Sequence, residues 1–288
     1  MVRMGCATLH KKGFHSLRKK LICPVRQSAF IAVLVVSAGC ALPSVELDAA
    51  GSHPVLKEIQ HTEEYFPDEI GSVWRYRGHS RTDVIERIAE ATFSNEVSAI
   101  GTTNIKGETV KIFRETNQGN KGPTDGFFRR DKTGITYYGS QPTTQFEQQL
   151  VPYRVLVFPL VMNGTFRQLE KRDVDVQADL DGDGQHERAD IVADVRVVAN
   201  TAVTVPAGPF HDVVQIDATM TIVISLTKDR RVITSQDRIT SWFARGVGLV
   251  KYVEEIEAPP VLESRGEVTY VSEELESYAL KRAAAGLL

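Results

Sequence analysis

The chain combines an ordinary globular composition with an uneven distribution of charge. It has 288 residues, 42% of them hydrophobic and 25% charged, enough for one large domain or two small ones. Residues 1–40 hold seven of the 34 Lys and Arg and no Asp or Glu, so residues 41–288 carry 27 basic against 37 acidic side chains, a net charge of −10. Nucleic acids and anionic lipid headgroups need clustered Lys and Arg, so this charge excludes both as partners of residues 41–288.

The first predicted element is an export signal over residues 1–39. After a basic stretch, twelve apolar and small residues, Ser28–Gly39, run up to Cys40. As a helix they would span about 18 Å, short of the roughly 30 Å hydrocarbon core, which indicates a signal-peptide core rather than a stable membrane span. The segment Val36–Cys40 resembles the lipobox of bacterial lipoproteins, with Ser37 standing where Leu is commoner. The alternative is a secretory signal cut elsewhere, with Cys40 incidental.

The lipobox resemblance implies that Cys40 is acylated, with chains such as palmitate, and becomes the first residue of the mature protein. Residues 41–288 contain no cysteine, so Cys40 has no disulfide partner after it, and no later thiolate can act as a nucleophile or bind zinc. Two or three acyl chains make a durable membrane anchor. An Asp after the cysteine would indicate retention in the inner membrane. Because Ala41 stands there, we expect an outer-membrane lipoprotein facing the periplasm.

Residues 40–62 are predicted to form a tether, because they are rich in proline, glycine and serine, and residues 63–271 a single β domain. The clearest strand is Val214–Leu226, where apolar and polar side chains alternate over thirteen residues. Such a period of two is typical of a strand with one buried face. Similar alternation occurs in Asp190–Val198 and in part of Val247–Ile256.

A hairpin and a helix complete the predicted elements. Phe127–Arg130 and Ile135–Gly139 flank a glycine-containing turn, which favours a hairpin. Long, half-buried strands joined by short turns predict a mainly β fold, a curved antiparallel sheet or half-barrel. Residues 272–288 place apolar side chains at helical spacing and are predicted to form a C-terminal helix or a mobile tail.

The most specific chemical signal is the twelve-residue segment Asp179–Asp190. Its carboxylates fall at positions 1, 3, 5, 9 and 12, and Gly184 at position 6 supplies a sharp turn. This arrangement wraps hard oxygen ligands around Ca²⁺, and without a cation the five carboxylates would repel one another. The predicted calcium ligands are the side chains of Asp179, Asp181, Asp183, Glu187 and Asp190 and the backbone carbonyl of Gln185.

Two features separate this segment from a helix-loop-helix calcium sensor. Position 12 is Asp190 rather than the longer Glu that usually binds with both oxygens, and the flanking residues alternate like strands. The segment therefore resembles the β-flanked calcium loops of extracellular repeat and adhesion modules. In that role calcium would lock a hairpin, with an affinity of about 10⁻⁴–10⁻³ M. The alternative is an acidic glycine turn that binds nothing tightly.

The sequence contains no recognisable catalytic motif. It lacks His-Glu-x-x-His, Gly-x-Ser-x-Gly and a phosphate-binding glycine loop, and no histidines stand at zinc-ligand spacing. His186 lies inside the acidic loop, where a solvated side chain is expected rather than a catalytic one. We therefore predict no catalytic residues.

Three segments resemble a family of uncharacterised bacterial lipoproteins related to DUF3108-type domains. They occur in order as Tyr65–Tyr76, Val203–Phe210 and Trp242–Lys251, across most of the exported chain. The family pattern reads approximately Tyr-Phe-Pro-x-x-x-Gly-x-x-Trp, Val-Pro-Ala-Gly-x-Phe and Trp-Phe/Tyr-Ala-x-Gly-Val-Gly-x-Val-Lys. The resemblance implies a single curved antiparallel sheet or a half-barrel closed by a helix. It implies no catalytic residues and no activity.

The sequence leaves three functional hypotheses. The first is a non-enzymatic envelope lipoprotein, anchored through Cys40, whose sheet binds an apolar or peptide ligand or an envelope partner. The second is a purely structural or adhesive calcium-stabilised module, in which the concave face is filled by its own side chains. The third is a hydrolase of unrecognised type, which would need convergent titratable groups in a cleft.

Overall fold

The computed structural model describes residues 57–84, 87–116, 122–261 and 266–281, so the predicted signal peptide, Cys40 and most of the predicted tether lie outside it. None of the helices in these ranges is long and apolar enough to cross a membrane. The strands are β1 Val73–Val84, β2 Arg87–Ile105, β3 Glu108–Glu115, β4 Thr124–Asp131, β5 Gly134–Gln141, β6 Tyr153–Val157, β7 Thr165–Asp175, β8 Arg188–Val205, β9 Gly208–Ser225, β10 Val232–Ala244, β11 Gly248–Ala258 and β12 Glu267–Ala279, with a helix α1 at Gln145–Leu150 and a 3₁₀ turn at Thr62–Tyr65.

The twelve strands form one antiparallel sheet in the order β6-β5-β4-β3-β2-β1-β12-β11-β10-β9-β8-β7. Strands adjacent in the sequence are adjacent in the sheet, except β6 and β7, and the first strand pairs with the last. The edge strands β6 and β7 approach each other without forming a ladder, so the sheet is nearly closed and barrel-like. Curling brings one face of every strand toward a common interior, which explains the period of two in the sequence.

Because the strands are antiparallel, their connections alternate between two ends of the sheet. We name these the hairpin end and the loop end. The hairpin end carries the short connections 106–107, 132–133, 158–164, 206–207 and 245–247. The loop end carries the longer described connections 142–152, 176–187 and 226–231.

Two apolar clusters fill the interior. The larger lies toward the hairpin end and is rich in aromatic rings, including Trp74 and Phe243. Trp74 is 1% exposed, and its Nε1 donates to the carbonyl of Val247 at 2.7 Å. The hydroxyl of Tyr76 donates to the carbonyl of Leu249 at 3.0 Å, so β1 is tied to residues two strands away. The smaller cluster lies beneath α1 and the Asp179–Asp190 segment.

The segment before β1 closes the hairpin end. Tyr65 and Phe66 are buried in the larger apolar cluster, and Arg130 donates to the carbonyl of Phe66 at 2.8 Å. Part of the predicted tether is also packed here: Ile59 is 7% exposed and its N–H donates to Leu160 O at 2.8 Å. The ordered domain therefore includes residues before position 63.

The mainly β prediction is confirmed. The alternating segment Val214–Leu226 falls almost entirely within β9, and the predicted hairpin is formed by β4 and β5. In both cases one face of the strand is buried against the interior, which is the arrangement that produces alternation.

The predicted C-terminal helix is wrong for the described part of residues 272–288; residues 282–288 lie outside the described residues. Glu267–Ala279 is strand β12, which pairs with β1 on one side and β11 on the other. The misleading residue is Glu273, which is buried between Val271 and Leu275 on the inward face and so interrupts the apolar period of two. Without that period, the apolar residues of this segment fit helical spacing, and only pairing with two distant strands decides the structure.

Candidate metal centre

The Asp179–Asp190 segment is held on the loop end by its own apolar side chains. It begins in the connection between β7 and β8 and ends as Asp190 enters β8. Leu180, inside the segment, is 8% exposed and packs in the smaller apolar cluster with Leu226 of the connection between β9 and β10. This packing fixes the acidic side chains around Leu180 relative to the sheet.

Three carboxylates of the segment converge. One side-chain oxygen from each of Asp179, Asp181 and Glu187 lies within 4.8 Å of the others. Two oxygens on opposite sides of one Ca²⁺ ion are about 5 Å apart, because each lies about 2.4 Å from the ion. The three oxygens can therefore contact a single calcium ion without a large rearrangement.

The two deepest of these carboxylates each keep an oxygen without a hydrogen bond. Asp181 is 2% exposed and Glu187 fully buried. One oxygen of Asp181 accepts from Lys228 N at 2.8 Å and one of Glu187 from Leu180 N at 2.7 Å. Asp181 Oδ1 and Glu187 Oε1 receive no hydrogen bond from any described residue. Burial raises the pKa of Glu187, since it penalises the charged form.

Asp179 and Gly184 shape the backbone around this point. The carboxylate of Asp179 accepts from Gly182 N at 2.6 Å and from Gly184 N at 3.0 Å, which folds the segment back on itself. Gly184 has a φ of +89°, in the region that favours glycine, as its position in the sequence predicts.

The other predicted ligands lie outside this group of three. Asp183 accepts from the hydroxyl of Thr227 at 2.8 Å, and this bond lowers the pKa of Asp183. Asp190 pairs with Arg172 at 2.8 Å, which lowers the pKa of Asp190. Gln185 is exposed, and its N–H donates to Asp183 at 2.9 Å. The structure thus brings together positions 1, 3 and 9 of the predicted motif and turns position 12 toward β7.

Sequence reasoning missed the connection between β9 and β10. Thr227 and Lys228 bind Asp183 and Asp181, which precede them by more than forty residues in the chain. The ammonium of Lys228 also approaches the carbonyl of Asp181, at 3.5 Å. A local motif carries no signal for these contacts, because they depend on the pairing of β8 with β9.

The donor set at the three converging carboxylates is oxygen alone. Hard cations such as Ca²⁺ select carboxylate and carbonyl oxygens, whereas zinc and copper sites use cysteine or histidine. The nearby His186 instead pairs with Asp175 at 3.2 Å. A second group, His61, Glu63 and Glu64, consists of exposed side chains. The residues around Glu187 therefore fit calcium best among the described ones.

The interior also contains an apolar cavity of about 50 Å³ near the hairpin end. The aromatic residues that line it are Tyr65, Phe66, Trp74, Phe113, Phe128 and Phe243. Sites for small-molecule ligands usually measure about 300–1,000 Å³. The aromatic side chains that line this space therefore fill most of it themselves.

Two solved structures are similar to this chain. One is a protein from Bacteroides fragilis, provisionally described as exported with a YmcC-like fold, which is 11% identical over 75% of this chain and 98% of that chain, with a TM-score of 0.33. The other, from Parabacteroides distasonis and provisionally described as a lipoprotein, is 14% identical with the same coverage and TM-score. No protein-family model and no curated protein matches the sequence. Neither alignment assigns a function at these values, and the resemblance to DUF3108-type domains stays a prediction.

Proposed function

We propose that this protein is a non-enzymatic lipoprotein of the bacterial envelope, anchored through Cys40, whose β domain is a structural or adhesive module stabilised by calcium. The observation that carries the proposal is the convergence of Asp179, Asp181 and Glu187, with two buried oxygens that receive no hydrogen bond from the described residues. Burying ionised oxygens without a partner is costly, and a divalent cation bound between them offsets that cost.

Calcium would act by joining separate parts of the sheet. Its ligands lie between β7 and β8, while Asp181 is already bonded to Lys228 between β9 and β10. A bound ion would fix both connections at the loop end, and so contribute to the stability of β7 to β10. The gain follows ligand concentration, at about 2.7 kcal/mol when calcium is present at about 100 times its Kd.

The filled interior favours the structural reading over the carrier of an apolar ligand. The aromatic cavity near Trp74 measures about 50 Å³, less than an acyl chain or a peptide side-chain cluster needs. A ligand of that size would therefore not fit in the aromatic core.

The calcium experiment uses the full-length chain purified in detergent. Thermal unfolding is followed with calcium, with magnesium and with a chelator. Calcium should raise the midpoint temperature of unfolding and the chelator should lower it. Magnesium should have a weak effect, because it needs shorter metal–oxygen distances and a stricter octahedral geometry than calcium. Asp181→Asn should remove the calcium response. Asp190→Asn should keep it, because Asp190 pairs with Arg172 rather than joining the converging oxygens. If calcium leaves the wild-type midpoint unchanged, the calcium proposal is wrong.

The anchor experiment uses two substitutions at the predicted cleavage site. Cys40→Ser should move the protein from the membrane fraction to the soluble fraction, because it removes the atom that carries the acyl chains. Ala41→Asp should leave the protein lipidated but shift it from outer to inner membrane. Retention of Cys40→Ser in the membrane fraction would refute the anchor without bearing on calcium.

A further inference from the structure

The buried charges of the described chain all have one sign. Eight carboxylates are buried, whereas no Lys, Arg or His of the described residues is. Asp181 and Glu187 belong to the candidate metal centre, and two others, Asp68 and Glu147, have several polar partners. The remaining four are Glu115, Asp237, Glu254 and Glu273.

These four lie on neighbouring strands and on the same side of the aromatic core. Along β10, the buried inward residues run from Phe243 at the hairpin end through Ile239 to Asp237. On β11 they run from Tyr252 to Glu254, with the acidic group again nearer the loop end. Glu273 on β12 and Glu115 at the end of β3 continue the pattern. We call these four residues the acidic band.

The described groups that act on Glu273 are one amide and two acids. It is 2% exposed, and both its oxygens lie 3.2 Å from the amide nitrogen of Asn95, which also donates to Glu115 at 2.8 Å. The titratable groups that act on it are Glu115 and Glu254. Burial, followed by repulsion from Glu115, raises the pKa of Glu273 to about 8.

Asp237 is more isolated. It is 2% exposed, and neither of its oxygens receives a hydrogen bond from a described residue. On the adjacent strands β9 and β11, the residues paired with Asp237 are Met220 and Ile256. The charge of Asp237 raises the pKa of the phenols of Tyr252 and Tyr153, in addition to the larger effect of their burial. Burial raises the pKa of Asp237 to about 7.

Among the described residues, the titratable groups that face Asp237 and Glu273 are acids and phenols. Tyr76 faces Glu273 and Glu115, Tyr252 faces Glu254, Asp237 and Glu273, and Tyr153 lies between Asp237 and Glu147 of α1. Charged side chains on the outer face of the same strands, such as Arg238, pair with outer carboxylates instead. A proton is therefore the counter-charge that the packed interior can accommodate without extra space.

We propose that Asp237 and Glu273 hold protons in the interior of the sheet at neutral pH, and that loss of these protons in alkaline medium loosens the loop-end half of the domain. The folded chain then binds more protons than the unfolded chain between the ordinary pKa of a carboxyl and its raised value. The contribution of these two groups to stability is therefore fully present in acid and is lost as pH rises through their folded pKa values of about 7 and 8. Two buried carboxyl groups, on β10 and β12, would thus make the module sensitive to the pH of the medium.

Infrared spectroscopy of the wild-type chain tests where the protons are. The full-length protein in detergent, with calcium held constant, should show the carbonyl band of a protonated carboxyl group at pH 6, and this band should disappear by about pH 9. The double variant Asp237→Asn with Glu273→Gln should lose most of the band at pH 6. An absent band in the wild type, or a full band in the double variant, overturns the proposal.

Denaturant unfolding tests the consequence. Between pH 6 and pH 9 the folding equilibrium constant of the wild type should fall on the order of 1,000-fold more than that of the double variant, about tenfold from Asp237 and about 100-fold from Glu273. At pH 9 the double variant should be the more stable, because amides replace two buried charges. Glu276→Gln, on the outer face of β12, should follow the wild type at each pH. Equal pH dependence in wild type and double variant overturns the proposal, and since calcium is constant throughout, neither result bears on the metal centre.

Discussion

The two ends of the sheet bury charge in different ways. At the hairpin end, Asp68 lies 3.0 Å from the ammonium of Lys111 and 2.6 Å from the guanidinium of Arg130, so two cations neutralise one carboxylate. At the loop end, some buried carboxylates of the described chain accept hydrogen bonds from neutral groups instead. Glu147 there accepts hydrogen bonds from the hydroxyls of Tyr137 at 2.5 Å and Ser140 at 2.8 Å.

The difference shows that a buried carboxylate needs a partner, but not always the same one. Asp68 is paired with two cations, and Glu147 accepts hydrogen bonds from hydroxyl groups. For Glu187 we propose a metal ion as the partner, and for Asp237 a proton. The hairpin end is therefore expected to be insensitive to calcium and to mild changes of pH, and the loop end sensitive to both. Substitutions at the two ends can sharpen or break this comparison.

The largest effect is expected in the aromatic core of the hairpin end. Trp74→Ala removes a ring that is 1% exposed and a hydrogen bond to Val247, and should cost about 3–5 kcal/mol in denaturant unfolding. Trp242→Ala is the matched control, because Trp242 is only partly buried, beneath Lys251. If Trp242→Ala lowers the free energy of unfolding as much as Trp74→Ala does, burial of the ring does not explain the effect.

The ion pairs of Asp68 should rank second. Asp68→Asn leaves Lys111 and Arg130 without their shared carboxylate and should cost about 2 kcal/mol, with faster proteolysis of the segment before β1. Glu276→Gln breaks an exposed pair with Arg77 and should change stability by less than about 1 kcal/mol. Calcium should leave the cost of Asp68→Asn unchanged, and a strong calcium dependence would contradict the separation of the two ends.

The same amide substitution should have opposite effects at two loop-end acids. Glu147→Gln replaces an acceptor of several hydroxyl hydrogen bonds and should cost about 1–2 kcal/mol at pH 8. Asp237→Asn should cost nothing or stabilise at that pH, since no described residue donates to its carboxylate. Urea unfolding of the two single variants measures the contrast, and equal losses would mean that Asp237 has a partner in the folded protein.

The smallest effect is expected at the start of α1. The hydroxyl of Thr144 accepts from Glu147 N at 3.0 Å and caps the helix, so Thr144→Ala should cost about 1 kcal/mol. Gln145→Ala, at the exposed first position of the helix, should be nearly neutral. Thermal unfolding at pH 6 with calcium present would distinguish the two variants, and no difference between them would argue against the cap.

The sequence predicts the strands well where one face meets an apolar interior, as in Val214–Leu226. It fails where the interior is acidic. Asp237 stands among polar residues in β10, and Glu273 interrupts the alternation of β12, so neither segment shows the pattern that identified β9. Their inward orientation depends on pairing with distant strands, which a local period cannot reveal.

At the candidate metal centre, too, the local sequence predicts only the contacts that do not depend on distant strands. The spacing of carboxylates around Gly184 predicts a turn and a set of oxygen ligands, and the structure brings three of them together. It does not predict the bonds from Thr227 and Lys228, or the pairing of Asp190 with Arg172. Those contacts arise from neighbouring strands, so the motif specifies the loop and the sheet selects the ligands.

Both ends of the described chain lie at the hairpin end, where the N–H of Lys281 donates to the hydroxyl of Ser72 at 3.0 Å. Sixteen residues separate Cys40 from Lys57, so the two Cα atoms can be at most about 60 Å apart. With Cys40 in the membrane as proposed, the tether joins the domain at its aromatic hairpin end, and strand β1 spans up to about 40 Å from there toward the loop end. The acidic rim that carries the candidate metal centre would then lie at the end of the domain opposite the point of attachment.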